Sequence, residues 1–203
     1  MFLLGAVFGL LAIVYGFKLY DLQVNQGEAY ALQSENNRLE QRIVFPERGV
    51  ITDRLGVELV TNRTEEGDDF AHRVYPEKEG FSHLLGYVSY PQKDTSGAYF
   101  QAEYVGLAGV EKSYGSVLSG VPGLALVETD ALGRVQSEGV VRNAVPGGTL
   151  NLSIDARVEE KLFTSIRSLA ERVGFQGGAG IIMDVKTGEL LAITSYPEFD
   201  SSV

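Results

Sequence analysis

The sequence predicts an α+β chain in three parts: one apolar N-terminal helix, a mixed α+β region and the beginning of an α/β domain. Three observations favour this fold class. Residues 2–17 form an uncharged and strongly apolar run. Residues 44–150 alternate short β-type pieces with glycine-containing turns, which is typical of a mixed α+β domain. Residues 155–194 have the pattern of a capped helix followed by an apolar hairpin.

The apolar run predicts a transmembrane helix over residues 1–20. At about 1.5 Å per residue such a helix is about 30 Å long, which matches the apolar thickness of a bilayer. Lys18 can extend its amine to the interface, where Tyr15 and Tyr20 are also favoured. The alternatives are a buried core helix or a cleaved signal peptide, although the basic leader and small-residue cleavage site of a signal peptide are absent. The basic residues near the run all follow it, so the positive-inside rule alone does not place the following chain outside the cell.

The composition excludes several classes of function. The chain of 203 residues has a formal net charge of -10 and no basic stripe, so we expect no nucleic-acid partner. It has no cysteine, which excludes disulfides, a thiol nucleophile and cysteine-ligated zinc. With only two histidines, His72 and His83, we expect no metal site, and no motif indicates a cofactor.

The polar residues 21–43 predict an extended or partly helical stalk, with residues 29–42 as the best helical candidate. Pro46 would end any such helix. A β-hairpin is then predicted, with strands at residues 50–53 and 57–60 on either side of a glycine-containing turn.

Three charged residues stand in or beside this hairpin: Arg48, Asp53 and Arg54. They can form a network of charge-assisted hydrogen bonds that fixes the angle at which the stalk enters the next domain. The alternative is a set of surface ion pairs, each worth less than about 1 kcal/mol.

The rest of the chain predicts short elements and then one long helix. Residues 82–88 predict a short helix that runs into a strand, residues 91–101 a loop, and residues 106–123 a short amphipathic helix between glycines. Asp155 is the expected N-cap of the long helix and Gly174 its expected end. The side chains predicted to form its buried stripe are Val158, Leu162, Ile166, Leu169 and Val173. The further strands are predicted at residues 124–130, 134–138, 149–154, 179–184 and 189–194.

Several short blocks follow one another in an order that is more specific than any single block. They are Arg48-Gly49 with Asp53-Arg54-x-Gly56, Tyr75-Pro76, His83-Leu84-Leu85-Gly86-Tyr87, Gly109-Val110-Glu111-x-x-Tyr114, Leu118-x-Gly120-x-x-Gly123, Pro146-Gly147-Gly148, Ile154-Asp155, and Asp184-x-x-Thr187-Gly188-Glu189 with Ser195-x-Pro197-x-Phe199-Asp200. In this order they resemble the class B penicillin-binding proteins, and the resemblance covers nearly the whole chain.

The resemblance implies a domain order. Residues 1–20 would be a transmembrane anchor, 21–43 a stalk, 44–150 an elongated α+β pedestal often called the dimerisation domain, and 151–203 an incomplete transpeptidase-like α/β domain. The bulk of the chain would then lie outside the bacterial cell membrane as a single-pass protein. The residues expected to act as structural motif residues are Arg48, Gly49, Asp53, Arg54, Gly56, Gly109, Glu111 and Tyr114.

The family cross-links peptidoglycan by D,D-transpeptidation, through the serine of a Ser-x-x-Lys motif. No serine of this chain has a lysine three residues later, so we expect no catalytic residue here and an inactive chain. The resemblance implies peptidoglycan as the substrate of the complete parent. It implies that the pedestal binds cell-wall synthesis proteins, either a glycosyltransferase or a scaffold, and it leaves a homodimer open.

Two apparent catalytic motifs are interpreted as chance matches. Lys186-Thr187-Gly188 lies in a hairpin turn ahead of any nucleophile, and Ser34-Glu35-Asn36 lies in the stalk. Asp184 with Glu189 could be a pair of acid–base carboxylates, but flanking a turn is the simpler interpretation. His83 precedes an apolar run and is expected to pack or hydrogen-bond rather than to catalyse.

The sequence departs from the family pattern at two places. Leu55 stands where the family usually has asparagine, which tolerates a left-handed turn better than leucine does. Only a short segment separates Asn62 from Arg73, where relatives carry a longer insertion. The alternative to a fragment of a transpeptidase is a stand-alone, membrane-anchored adaptor. The apolar hairpin at 179–194 favours the fragment, because it resembles the first strands of a domain whose remainder is absent.

Overall fold

The computed structural model describes residues 2–28, 39–129 and 135–199. The contacts within the chain divide it into two compact units, residues 1–42 with 125–140 and residues 43–124 with 141–203. The predicted domain boundary at residue 150 falls within the second unit and stays a prediction.

The N-terminal segment is helical, as predicted. Helix α1 (Phe2–Tyr20) continues into one π-helical turn at Asp21–Asn25. Within the described part of the chain, no helix combines the length and the apolar character needed to cross a membrane.

A three-stranded sheet contains β1 (Leu39–Val44), β9 (Gly123–Thr129) and β10 (Val135–Arg142), in the order β1-β9-β10. The hairpin strands predicted near residues 124–138 are therefore confirmed. The helix predicted over 29–42 is wrong at residues 39–42, because hydrogen bonding to β9 outweighs a weak helical preference. Residues 29–38 of that prediction lie outside the described residues.

The second unit is built around a four-stranded sheet in the order β11-β2-β3-β4. Its strands are β2 (Ile51–Thr52), β3 (Glu58–Arg63), β4 (His72–Val74) and β11 (Leu150–Asn151). Strands β2 and β3 form the predicted antiparallel hairpin, and β11 runs parallel to β2. The strand predicted at 149–154 is wrong in length, because regular pairing is limited to Leu150–Asn151, although the Leu152 N–H still donates to the Thr52 carbonyl at 2.9 Å.

Short elements fill the region between β4 and β9. They are α2 (Ser82–Leu85), β5 (Val88–Ser89), β6 (Gln92–Lys93), β7 (Tyr99–Gln101), β8 (Val105–Gly106), α3 (Gly109–Ser113) and α4 (Gly115–Leu118). The short helix and strand predicted at 82–88 are confirmed. The loop predicted at 91–101 contains the β6–β7 pair instead. The single helix predicted within 106–123 is two helices, because the backbone departs from helical geometry at Tyr114.

The hydrophobic core of the second unit lies between the four-stranded sheet and the short helices. Its fully buried side chains include Ile51 and Val60 of the sheet, Phe81 and Leu85 around α2, and Leu118 of α4.

The long helix α5 (Ala156–Val173) begins at the predicted N-cap Asp155 and ends at the predicted Gly174. The Arg157 guanidinium lowers the pKa of Asp155 to about 2, so the cap stays charged in mild acid. The stripe predicted as buried is wrong at Leu169 and Val173, which are 44% and 53% exposed, and its other three residues are only half-buried. The buried helical residues are Ala156, Glu159, Phe163 and Ala170.

The reason is the partner strands of α5. The predicted hairpin is confirmed as the antiparallel pair β12 (Gly178–Met183) and β13 (Leu190–Tyr196). The Phe163 face of α5 packs toward β13, where the Phe163 and Tyr196 rings lie edge to face at 5.9 Å. The Leu162 and Ile166 side chains lie over glycines of β12, which have no side chains to cover them.

Candidate functional site

Residues 47–49 lie where their backbone meets the backbone of Leu118 and that of residues 147–148. Gly49 donates its N–H to the Leu118 carbonyl at 2.8 Å, and Gly147 donates to the Glu47 carbonyl at 2.8 Å. A Cβ atom on Gly49 would lie 1.9 Å from the Gly148 carbonyl oxygen, and one on Gly147 would lie 1.8 Å from that of Leu118. The close approach therefore requires glycine at both positions.

A buried ionic triad lies beside this crossing. Arg48 donates from Nε to one Glu111 carboxylate oxygen at 2.7 Å, and Arg73 donates from Nε and Nη2 to the other at 2.9 and 2.6 Å. All three charged side chains are fully shielded from solvent. Further bonds join Arg48 Nη1 to Ser119 Oγ at 3.0 Å and Arg73 Nη1 to Asn62 Oδ1 at 2.8 Å. The triad therefore ties β4 and the segment before β2 to the first turn of α3.

The charges of the triad do not cancel, because two guanidinium groups face one carboxylate. Charge-assisted hydrogen bonds compensate for the loss of water around these groups, and removal of one partner would leave a buried charge unpaired. The Tyr75 hydroxyl is buried and has no hydrogen-bond partner within the described part of the chain. Its burial, with a further contribution from the Glu111 charge, raises the pKa of Tyr75 above its usual value, so the phenol stays neutral.

Asp53 ties the β2–β3 turn to the N-terminus of α5. Its Oδ1 accepts hydrogen bonds from the Leu55 and Val57 N–H groups at 2.8 and 2.9 Å, and its Oδ2 accepts one from the Ala156 N–H at 3.2 Å. The Arg54 N–H also donates to the Ile154 carbonyl at 2.9 Å. Because the Asp53 carboxylate is buried, these bonds form in a water-poor environment where they are strong.

The structure divides the three charged residues of the predicted network among different interactions. Arg48 belongs to the triad, Asp53 binds backbone N–H groups, and Arg54 lies at the surface, 3.6 Å from the Glu189 carboxylate. The Arg54 contact is a surface ion pair, which was the alternative interpretation of all three residues. Leu55 does not adopt the left-handed conformation, because Gly56 takes the positive φ of this turn at 80°.

The other motif residues have packing roles. Gly109 has a φ of 56°, and a Cβ atom there would lie 2.5 Å from the Leu84 carbonyl oxygen, so this glycine permits α2 and α3 to approach closely. Glu111 is the acceptor of the triad. The Tyr114 side chain is 47% exposed and lies outside the triad.

Sequence reasoning missed three members of this site: Asn62, Arg73 and Ser119. Arg73 was grouped with the apolar piece that ends in Tyr75-Pro76. An arginine inside an otherwise apolar β-type segment was the available signal, because a charged residue at a buried strand position needs a partner. Asn62 and Ser119 are polar residues beside turns, and their sequence context carries no comparable signal.

No catalytic arrangement occurs among the residues that the structure describes. Lys186 and Thr187 lie in the exposed β12–β13 turn, where the Lys186 N–H bonds to Asp184 Oδ1 at 2.8 Å and Gly188 has a φ of 77°. Asp184 and Glu189 are joined through their backbones in that same turn. The Ser34-Glu35-Asn36 segment lies outside the described residues. No group of side chains in the described ranges could hold a metal ion.

Comparison with known proteins identifies the source of these motifs. A family model described as the penicillin-binding protein dimerisation domain matches residues 68–152. The peptidoglycan D,D-transpeptidase FtsI of Escherichia coli is 28% identical over 130 residues, which are 64% of this chain and 20% of that relative. The chain therefore spans about a fifth of the length of this curated relative.

Solved structures share the fold. Penicillin-binding protein 2X from Streptococcus thermophilus superimposes with a TM-score of 0.67 at 19% identity, covering 81% of this chain and 36% of the other. A chain from a study of the structural coordination of polymerization and crosslinking by a peptidoglycan synthase complex gives a TM-score of 0.58 at 24% identity, covering 98% of this chain and 46% of the other. Residues 68–152 thus match the penicillin-binding protein dimerisation domain, and the chain is similar in sequence to peptidoglycan D,D-transpeptidases and in fold to penicillin-binding proteins.

Proposed function

We propose that this chain is the non-catalytic N-terminal part of a peptidoglycan D,D-transpeptidase of bacterial cell-wall synthesis. The observation that carries the proposal is the connection of the β2–β3 turn, in the sheet that packs with the dimerisation domain, to helix α5 through Asp53. The Asp53 carboxylate binds the first N–H of α5, and the same unit contains the β12–β13 hairpin. A dimerisation domain that holds the start of a second domain in this way is suited to support a catalytic domain.

Covalent labelling by a fluorescent penicillin tests this proposal. The protein of 203 residues should not be labelled, because it has no Ser-x-x-Lys nucleophile. A longer product of the same gene, with that motif after residue 203, should be labelled, and alanine at its serine should abolish the labelling. Labelling of the 203-residue protein, or a genuine stop codon after residue 203, would contradict the proposal.

We also propose that residues 1–20 anchor the protein in the bacterial membrane, with the bulk of the chain outside the cell. The support is the apolar sequence of α1, followed by Lys18 and Tyr20 at its end. The protein should remain in the membrane fraction after a wash with alkaline carbonate, and a variant that lacks residues 1–20 should be soluble. Release of the unaltered protein by carbonate would contradict the anchor.

The dimerisation domain is further proposed to bind a glycosyltransferase or a scaffold protein of cell-wall synthesis. The support is the fold shared with a chain of a peptidoglycan synthase complex. A second candidate function is a membrane-anchored adaptor without a catalytic domain, which would bind the same class of partner. The exposed apolar residues Ile181 and Met183 of β12 speak against the adaptor, because a finished domain would cover them.

Cross-linking in cells distinguishes the two candidates. An adaptor should bind its partners as the 203-residue protein. Cells that make it should not contain any product of the gene that is longer than 203 residues. A transpeptidase should be recovered with the partner only as the longer product. Recovery of neither form with any cell-wall synthesis protein would contradict the partner proposal.

A further inference from the structure

Two of the sequence blocks contact each other in space, and neither belongs to the buried triad. The first is residues 80–87, here called the docking strip, which contains α2. The second is residues 194–199, here called the exit segment, which ends β13 and leads away from it. Thr194 Oγ1 donates to the Gly80 carbonyl at 2.9 Å, and Ser195 Oγ lies 3.1 Å from His83 Nδ1.

The contact continues past the end of the strand. Glu198 accepts the Gly80 N–H on Oε1 at 2.8 Å and the Ser82 N–H on Oε2 at 3.2 Å. The Phe199 ring lies edge to face with the His83 ring at 5.0 Å and with the Tyr87 ring at 5.6 Å. Four residues of the exit segment thus use their side chains to contact the docking strip.

These contacts restrain both the position and the rotation of the exit segment. Successive side chains of a strand point to opposite faces, so Thr194 and Ser195 engage the strip from both faces of β13. This fixes the rotation of the strand end as well as its location. Gly80 makes the contact possible, since a Cβ atom there would lie 2.8 Å from Phe163 Cβ and the residue has a φ of 101°.

We propose that the docking strip positions the chain that leaves β13, and that Glu198 is the positioning residue. Glu198 is the only charged side chain of the exit segment, and it binds the strip through two backbone N–H groups at once. The role rests on the proposed function in one respect: in the longer transpeptidase, the positioned chain is the one that leads toward the nucleophile. The dimerisation domain then sets the direction in which that chain departs.

The neighbouring ion pairs cannot replace this contact. Lys78 pairs with Glu160 and Glu79 with Arg167, but these side chains are largely exposed to solvent and such pairs contribute little. Loss of the Glu198 carboxylate would instead leave the Gly80 and Ser82 N–H groups without their acceptor, and Ser82 is buried.

Amide hydrogen exchange on the 203-residue protein tests the positioning role directly. Glu198→Ala should raise the exchange rates of the Gly80 and Ser82 amides at least about tenfold, because each loses a charge-assisted bond. Exchange at Ile51 and Val60 of the central sheet should not change. Glu171→Ala, on the exposed face of α5, is the matched control and should change none of these rates. Unchanged rates at Gly80 and Ser82, or an equal rise at Ile51 and Val60, would overturn the role.

The longer gene product provides a second measurement. Glu198→Ala should lower its rate of acylation by penicillin at least about tenfold while its melting temperature stays within a few degrees of the unaltered protein. Glu198→Gln keeps one acceptor oxygen and should restore part of the rate. An unaltered rate in Glu198→Ala would contradict positioning of the active site. If the unaltered longer product is not acylated at all, the proposed function fails, whereas the exchange result on the shorter protein still decides the role of Glu198.

Discussion

At the scale of single residues, Glu111 is the side chain on which the buried ionic triad depends most. It accepts hydrogen bonds from Arg48 and Arg73, which come from segments far apart in the chain. Both guanidinium groups lose their common acceptor if this carboxylate is removed. A buried charge without a partner is among the costliest defects in a protein interior.

Glu111→Gln should therefore lower the free energy of unfolding by about 3–5 kcal/mol. Gln retains the size of the side chain but not its charge, so the loss reports the ionic interaction. Glu103→Gln, at an exposed position, is the control and should change stability by less than about 0.5 kcal/mol. Urea denaturation of both variants measures the difference. Equal stabilities would show that the triad adds nothing to folding.

Glu159 is a second buried carboxylate, and no ion pair joins it to a cation among residues 2–28, 39–129 and 135–199. Its Oε2 accepts the Ile193 N–H at 2.7 Å, whereas its Oε1 has no partner in the described ranges. Burial, with a further contribution from the Glu198 charge, raises the pKa of Glu159 to about 7, although the Ile193 bond opposes the rise. The folded state thus binds a proton more tightly than the unfolded chain does between about pH 4.5 and 7.

The sign of the pH dependence follows from this. The contribution of the protonated Glu159 to stability is fully present below about pH 4.5 and is lost as the pH rises through 7. Glu159→Gln mimics the protonated form, so it should match the unaltered protein near pH 4.5 and exceed its stability by up to about 3 kcal/mol at pH 8. Denaturant unfolding at both pH values measures the difference. A difference that does not change with pH would contradict the shifted pKa.

At the scale of elements, the position of β2 depends on the close backbone approach at Gly49 and Gly147. Gly49→Ala would place a methyl group against the Gly148 backbone, which cannot move aside as a side chain could. We expect a loss of about 1–3 kcal/mol or more in the free energy of unfolding. Gly139→Ala is the control, because a Cβ atom there meets nothing within 4 Å. Thermal unfolding of the two variants decides whether close approach or loss of flexibility is responsible.

The β2–β3 turn has a different requirement, which concerns backbone conformation alone. Gly56 has positive φ and open space around it, so Gly56→Ala should cost about 1 kcal/mol through strain. Leu55 has negative φ and an exposed side chain, so Leu55→Asn should change stability by less than about 0.5 kcal/mol. Chemical denaturation compares the two. A marked gain in Leu55→Asn would mean that the turn suits asparagine better than its geometry indicates.

The predictable elements are those whose signals are local. The cap Asp155, the end at Gly174 and the continuous apolar strands of the β12–β13 hairpin depend on neighbours within a few residues, and the sequence shows them. The buried face of α5 depends on which strand the helix meets, and the structure buries Phe163 against Tyr196 of β13. The helix predicted before β1 failed for a similar reason, since its pairing partner β9 is distant in sequence.

The same distinction applies to the candidate site. Arg48, Asp53 and Glu111 could be named from the sequence because they stand in recognisable blocks. Their partners could not, because the Arg48–Glu111 contact spans 63 positions and the Asp53–Ala156 contact spans 103. The sequence alone does not show which of its distant blocks are in contact in the folded chain.

At the scale of the whole chain, residues 43–124 and residues 141–199, which belong to one compact unit, should unfold together. Asp53, the β2–β11 pair and the exit segment all join residues 43–124 to residues 141–199. Amide probes in β2–β3 and in β12–β13 should therefore report the same urea midpoint. Two separate midpoints, with the hairpin unfolding first, would show that the boundary near residue 150 divides two independent folding units.

The parallel pairing of β2 with β11 has a consequence for folding during synthesis on the ribosome. Ile51 lies opposite Leu150, so the sheet cannot close until about a hundred further residues have been made. A ribosome adds roughly 5–20 residues per second, which leaves the first hairpin without its neighbour for several seconds. During that interval the Asp53 carboxylate can accept the Leu55 and Val57 N–H groups of its own turn, but the Ala156 N–H does not yet exist. Until Leu150 has been made, the outer edge of β2 has no neighbouring strand, and it is then open to pairing with other chains.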